Sequence, residues 1–232
     1  MNEIEDLYTK LGGTFVTQFV TMAQKLEGVR AFLFDWDGVF NSGQKSTNGG
    51  SNFSEVDSMG TNLLRYSHFL KHGAMPITGV ISGEKNEAAF YFCERECFTY
   101  SFFKIANKSE ALKFICKAEN IAAQNVAYFF DDVLDIPVAE QCGLRMMVNQ
   151  KANPLFVNYC IKNKLVDYLS ASAGGQYAVR ECSELLIGLN GNYNEVIENR
   201  KNFSVSYKTY ITQRRAVSTE IYTMKENGIE RS

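Results

Sequence analysis

The feature that most constrains this chain is a short apolar run that ends in acid. Ala31, Phe32, Leu33 and Phe34 are followed at once by Asp35, Trp36, Asp37 and Gly38. A continuous apolar run of that length, closed by turn residues, is the pattern of a strand buried on both faces of a parallel sheet. Open α/β sheets bind their ligands beyond the carboxyl ends of such strands, which is where Asp35 and Asp37 fall. Strand alternation sends both carboxylates one way and Trp36 the other. Gly38 permits a sharp turn and a close backbone approach to a ligand. Two carboxylates this close repel, and their hard oxygens call for a cation such as Mg2+. An Asp pair can also simply cap a strand–loop junction, so the rest of the chain has to decide.

The pattern recurs. Residues 76–81 predict a second strand, ending at Ser82 and Gly83. Residues 98–103 predict a third, with a helix opening after it at Lys108. Residues 125–130 predict a fourth, ending at Asp131 and Asp132, with Asp135 one turn further on. Two more strands are expected at 145–148 and 165–169. Helices are expected at 61–70 (with Gly73 at its C-terminal stop), 86–96, 111–119, near Pro154 and at 178–189. Such strand–helix alternation makes a parallel sheet with all these ends on one edge. Asp35, Asp37, Ser82, Lys108, Asp131, Asp132 and Asp135 then converge. This set suits phosphoryl transfer. One carboxylate can act as nucleophile and a second can protonate the leaving oxygen. Mg2+ and a lysine neutralise the phosphoryl oxygens, and a hydroxyl positions one of them.

The flanks read differently. Ile4, Leu7, Leu11, Phe15, Phe19, Met22 and Leu26 have the spacing of an amphipathic helix that Gly12 and Gly13 break or bend. Residues 1–28 are thus expected as a helical extension, 29–192 as the catalytic domain and 193–232 as a tail. The tail is polar and Tyr-rich and carries Arg200, Lys201, Lys208, Arg214 and Arg215; it reads as a solvated extension. Residues 41–53 are turn-rich, and Asn48-Gly49-Gly50 suits a hairpin tip, so a β-hairpin flap is expected beside the active end. His68 and His72 stand four apart on a helix, as a metal pair would, but no third ligand is near, and surface histidines at a helix C-terminus fit better. Six dispersed cysteines without a Cys-x-x-Cys pair read as reduced thiols of a cytoplasmic protein. A net charge of −2 gives no footprint for nucleic acid. No signal peptide and no membrane-length apolar run are seen.

At this point the motifs resemble those of the haloacid dehalogenase-like phosphatases. Phe34-Asp35-Trp36-Asp37-Gly38-Val39 resembles the first motif, Ile81-Ser82-Gly83 the second, Lys108 the third and Asp131-Asp132 with Asp135 the fourth. Within that superfamily the resemblance is to the branch acting on 3-deoxy-D-manno-octulosonate 8-phosphate. It is carried by the segments 107–112, 125–138 and 173–181 and runs from about residue 29 to 189. It implies a Rossmann-like parallel sheet sandwiched by helices, without a cap domain; the short intervals between motifs agree. It also implies Asp35 as nucleophile, Asp37 as general acid/base, Ser82 and Lys108 on the transferring phosphoryl group, and Mg2+ on Asp35, the Asp37 carbonyl and Asp131, with Asp132 and Asp135 nearby. Gly83, Lys85 and Gln176 fall at substrate-binding positions. The branch forms homotetramers whose flaps associate, and whose C-terminal segment can reach a neighbour's site. Departures are Ser42 for an aspartate, Glu84 and Gln176 for arginines, and Phe130 for a glycine. The lost cationic charge argues against the branch's doubly anionic sugar-acid phosphate. Other readings are a phosphatase of nucleotides or another metabolite, and a catalytically silent binding subunit.

Overall fold

The computed structural model describes residues 3–45, 51–226 and 228–232. The apolar runs become the centre of one sheet with strand order β1-β7-β6-β5-β2-β3-β4-β8-β9. The middle is β2 (Ala31–Phe34), flanked by β3 (Ile77–Ile81) and β5 (Val126–Phe130), both parallel to it. β4 (Tyr100–Phe103), β6 (Leu144–Met147) and β7 (Tyr168–Leu169) extend the parallel array. All four residues of β2 are buried, as expected for a strand with helices on both faces. The even positions, Phe32 and Phe34, join one core with Trp36, Phe92 and Phe129, while Ala31 and Leu33 join the other with Ile115 and Tyr128. Trp36 stacks on Phe40 with centroids 4.9 Å apart.

The helices start and stop where their capping residues say. α3 (Glu55–His72) begins at Ser54, whose side chain accepts the Val56 N–H, and ends at Gly73 in the left-handed region. It is longer than the expected 61–70 because that cap lies upstream of the apolar periodicity. α4 (Glu87–Glu96) and α5 (Lys108–Glu119) are capped by Asn86 and Asn107. α8 (Ala178–Asn190) lacks a cap from its own Tyr177. Asp57 of α3 replaces it by accepting the Arg180 N–H at 2.9 Å.

Both flanks belong to the sheet. α1 (Glu3–Leu11) stops before Gly12, as expected. β1 (Thr14–Phe15) then pairs antiparallel with β7, and α2 (Phe19–Glu27) leads into β2. The expected solvated tail is corrected. α9 (Tyr193–Lys201) and α10 (Val205–Ala216) pack on α3, and β8 (Glu220–Lys225) and β9 (Gly228–Arg231) extend the β4 edge. Its tyrosines are the cause: Tyr207 and Tyr210 are buried, and the Tyr210 hydroxyl bonds Asn62. The cationic residues are engaged too. Arg214 pairs with Glu96 at 2.8 Å, and Arg200 lies over the rings of Phe203 and Tyr207.

The proposed hairpin tip, residues 48–50, lies outside the described residues; the described flanks 41–45 and 51–54 carry no strand. No folded cap interrupts the alternation of strands and helices among the described residues. His68 is a second correction: it is buried with its ring edge-on to Phe32, and burial pushes it down to about 3.

Candidate active site

Two strand ends, one short helical turn and one helix start meet at a single point. Asp35 follows β2, Asp131 follows β5, and Asp135 closes the short helical turn after Asp131. Oxygens of these three carboxylates all lie within 4.8 Å of one another. Lys108, the first residue of α5, places its ammonium between Asp35 (2.5 Å) and Asp135 (2.7 Å). The Tyr128 hydroxyl donates to Asp135 at 2.6 Å. All five side chains are buried.

One ammonium cannot balance three buried carboxylates. Burial, reinforced by Asp135 and opposed by Lys108, pushes Asp35 up to about 7. Burial and the charges of Asp35, Asp135 and Asp132 push Asp131 up to about 8, against a hydrogen bond from Gln150. Burial works against the Lys108 charge, but Asp35 and Asp135 outweigh it and hold the lysine above its ordinary value. The Asp131 Oδ1 atom is buried and has no hydrogen-bond partner. A surplus of negative oxygen with one oxygen unpartnered is what a hard divalent cation satisfies.

The remaining expected residues are placed as follows. Asp37 is half-buried and its carboxylate lies outside this cluster; Ser51 donates to its Oδ1 and Lys45 pairs with its Oδ2 at 3.0 Å. Ser82 is buried at the end of β3, and its Oγ accepts the Glu84 N–H. Gly83 is partly exposed beside it. Asp132 is exposed and caps the turn through Val133, so it is Asp135 that joins the cluster. Lys85 is committed elsewhere, paired with Glu87 and lying over Phe90. Gln176 is exposed on the Gly174–Gly175 loop.

That loop closes on the β2 loop. A Cβ on Gly174 would stand 2.0 Å from the Gly38 carbonyl oxygen, and one on Gly38 would stand 2.0 Å from Asp131 Oδ2. Only glycine lets these segments touch. Glu181 fixes the loop's entry by accepting the N–H groups of Ala171 and Ser172, each at 2.8 Å. A cleft of about 510 Å³ opens here, bordered by Asn41, Gln44, Lys45, Ser51 and Tyr177.

Several residues here were not foreseen. Gln150 donates to the Gly38 carbonyl and, at 2.9 Å, to Asp131 Oδ2. It follows the carboxyl end of β6, so the rule that found Asp35 could have found it. Lys45, Ser51 and Tyr128 carry no comparable signal in the sequence.

No protein-family model matches the chain. The 3-deoxy-D-manno-octulosonate 8-phosphate phosphatase KdsC of Escherichia coli K12 is 30% identical over 175 residues, 74% of this chain and 86% of that protein. The chain belongs to this family of haloacid dehalogenase-like phosphatases. Its Haemophilus influenzae relative of the same description is 27% identical over 192 residues, 81% of this chain and 98% of that one. Among solved structures, the cobalt-bound phosphatase of Haemophilus influenzae superposes with a TM-score of 0.61 at 26% identity, covering 73% of this chain and 94% of the other. A Moraxella catarrhalis phosphatase in complex with magnesium ion, phosphate ion and KDO shares the fold at a TM-score of 0.65 and 22% identity, covering 77% and 97%. The two β-strands beyond α10 form one edge of this phosphatase's sheet.

Proposed function

We propose that this phosphatase is a Mg2+-dependent phosphomonoesterase that works through a phosphorylated Asp35 on a small phosphorylated sugar or sugar acid. The observation that carries the reading is the buried Asp35–Asp131–Asp135 cluster, held by Lys108, at the carboxyl edge of the central strands. Asp35, the Asp37 carbonyl and Asp131 would hold the ion, and the unpartnered Asp131 Oδ1 supports that fit. When bound, Mg2+ supplies positive charge for the carboxylates and for the phosphoryl oxygens.

The chain's own groups do the rest. An Asp35 oxygen attacks phosphorus; the bond to the leaving oxygen breaks, and Asp37 delivers a proton to that oxygen. Water then attacks the phosphorus of the acyl phosphate while Asp37 takes a proton back, releasing phosphate and restoring Asp35. Lys108 and Ser82 hold the phosphoryl oxygens, and Lys108 also keeps Asp35 in place between turnovers. Tyr128 and Gln150 position Asp135 and Asp131.

The relatives are described as phosphatases of 3-deoxy-D-manno-octulosonate 8-phosphate, and this supports a sugar-acid or sugar phosphate here. Glu84 and Gln176 remove two expected cationic contacts, while Lys45 offers one at the cleft. The absence of a folded cap among the described residues supports an assembly, most simply a homotetramer, in which neighbours help close the site. The six free cysteines support a reducing, cytoplasmic setting. A phosphate-release screen over sugar-acid, hexose and nucleotide phosphates, with and without Mg2+, tests the substrate class. Turnover confined to nucleotides would overturn the sugar-phosphate reading, and full activity in EDTA would overturn the metal role.

A further inference from the structure

The Asp37 carboxyl is reached by a directional chain of hydrogen bonds that starts at the end of a helix. Asn86 is the N-cap of α4: its Oδ1 accepts the N–H groups of Ala88 (3.0 Å) and Ala89 (3.4 Å). This fixes the amide, because a flip would aim its NH2 at two other N–H donors. Asn86 Nδ2 must therefore donate, and it meets Ser51 Oγ at 3.4 Å. Having accepted there, the Ser51 hydroxyl is free to send its own proton to Asp37 Oδ1. Ser51 is itself held, since its carbonyl accepts from the Trp36 indole N–H at 3.3 Å. Trp36, Ser51 and Asn86 are all buried, so water does not compete for these bonds.

From this geometry we infer that Ser51 and Asn86 are positioning residues for the acid–base step. They hold Asp37 Oδ1 as a permanent acceptor and leave Oδ2 as the oxygen that exchanges its proton with the leaving group and then with water. Lys45, which pairs with Oδ2, is about half exposed and can be displaced by an incoming ester. The inference rests on the assignment of Asp37 as acid–base in the proposed function. It adds a reason for the chain on both sides of residues 46–50 to meet one carboxylate: Lys45 comes from before that segment and Ser51 from after it.

The test compares p-nitrophenyl phosphate with phenyl phosphate, which differ little in shape but greatly in leaving-group basicity. A weakly basic leaving group needs little protonation, so a misplaced acid is felt on phenyl phosphate. Ser51→Ala should lower kcat on phenyl phosphate by about tenfold or more and on p-nitrophenyl phosphate by less than about threefold, with KM unchanged on both. Ser51→Thr should restore the lost kcat. Asn86→Ser keeps a helix-capping oxygen but has no amide donor; it should reproduce the Ser51→Ala pattern in weaker form with the melting temperature preserved. Equal losses on the two esters, or no loss on either, would overturn the inference. If wild type hydrolyses neither ester while Asp35→Asn is indistinguishable from it, the phosphatase mechanism itself fails, and the inference with it.

Discussion

Two buried charge clusters sit in this one sheet, and they are built on opposite plans. Around Asp167, before β7, every partner is a donor. Arg145 gives it two guanidinium bonds, at 2.9 and 3.0 Å, and a backbone N–H at 2.9 Å, while Lys25 and Thr17 each reach it at 2.5 Å. Burial alone would raise this carboxyl, yet the bonds from Arg145, Lys25 and Thr17 hold it below its usual value. Around Asp35 the count runs the other way: three carboxylates meet a single lysine, which bonds only Asp35 and Asp135, two of the three are pushed up, and one oxygen is left without a partner. The first cluster is complete as folded, tying α2 and the chain after β1 to β6 and β7. The second is complete only when something cationic arrives. Buried charge that is satisfied serves the fold, and buried charge left in deficit marks the site.

The largest expected effect separates the clusters by function. Asp35→Asn should cut turnover by on the order of 10⁴-fold while the protein stays folded. Residual activity above about a hundredth of wild type, read by phosphate release, would remove Asp35 from the nucleophile role. Asp167→Ala should do the reverse. It leaves Arg145 and Lys25 without their shared partner, so denaturant melts should show a loss of about 3–5 kcal/mol. Activity per folded molecule should hold. If Asp167→Ala instead disables catalysis without lowering stability, the contrast between the clusters collapses.

A finer prediction concerns Gln150, which touches the site without belonging to the acid cluster. Gln150→Leu should weaken Mg2+ activation by about 10–100-fold, because the orienting bond to Asp131 is lost. The rate at saturating Mg2+ should change far less. A drop in maximal rate with an unchanged Mg2+ requirement would show that Gln150 acts on the substrate side instead.

How legible each region was follows from the range of the interactions that make it. The positions of Asp35, Ser82, Lys108 and Asp131 are legible because a parallel sheet gathers its strand ends on one edge, and each strand carries its own apolar signal. Asp135 was foreseen only as a neighbour, since its pairing with Lys108 joins elements 27 residues apart. Ser51 and Lys45 meet Asp37 through a turn-rich segment whose composition predicts irregularity but not direction. The packing of the tail is hidden in the sequence for a related reason. Its helices carry weakly patterned polar residues, and the burial of Tyr207 and Tyr210 depends on Tyr66 and Asn62, far back in α3. β8 likewise forms only because β4 offers an open edge. Asp167 passed unnoticed as the last residue before a short strand, its partners drawn from residues 17, 25 and 145.

The smallest expected effect is the one in which the two clusters pull stability in opposite directions with pH. Asp35 and Asp131 are raised in the folded state, to about 7 and about 8. A raised acid favours the folded state fully below its unfolded value near 4, and that advantage is lost as pH climbs through the folded value. Asp167 is depressed, so its contribution is present above about pH 4 and lost only as pH falls through its lowered value. Metal-free protein should therefore lose a few degrees of melting temperature between about pH 5 and 8, where Asp167 is already fully ionised. Mg2+ must displace protons from the raised acids, so its stabilisation should grow across the same interval. Asp131→Asn should reduce the metal-free slope to the share that Asp35 carries and abolish the Mg2+ effect, whereas Lys25→Met should lower the whole curve and leave its slope intact. A slope undiminished by Asp131→Asn, which should leave only the Asp35 share, would mean that the deficit of positive charge at the site is not what sets this pH response.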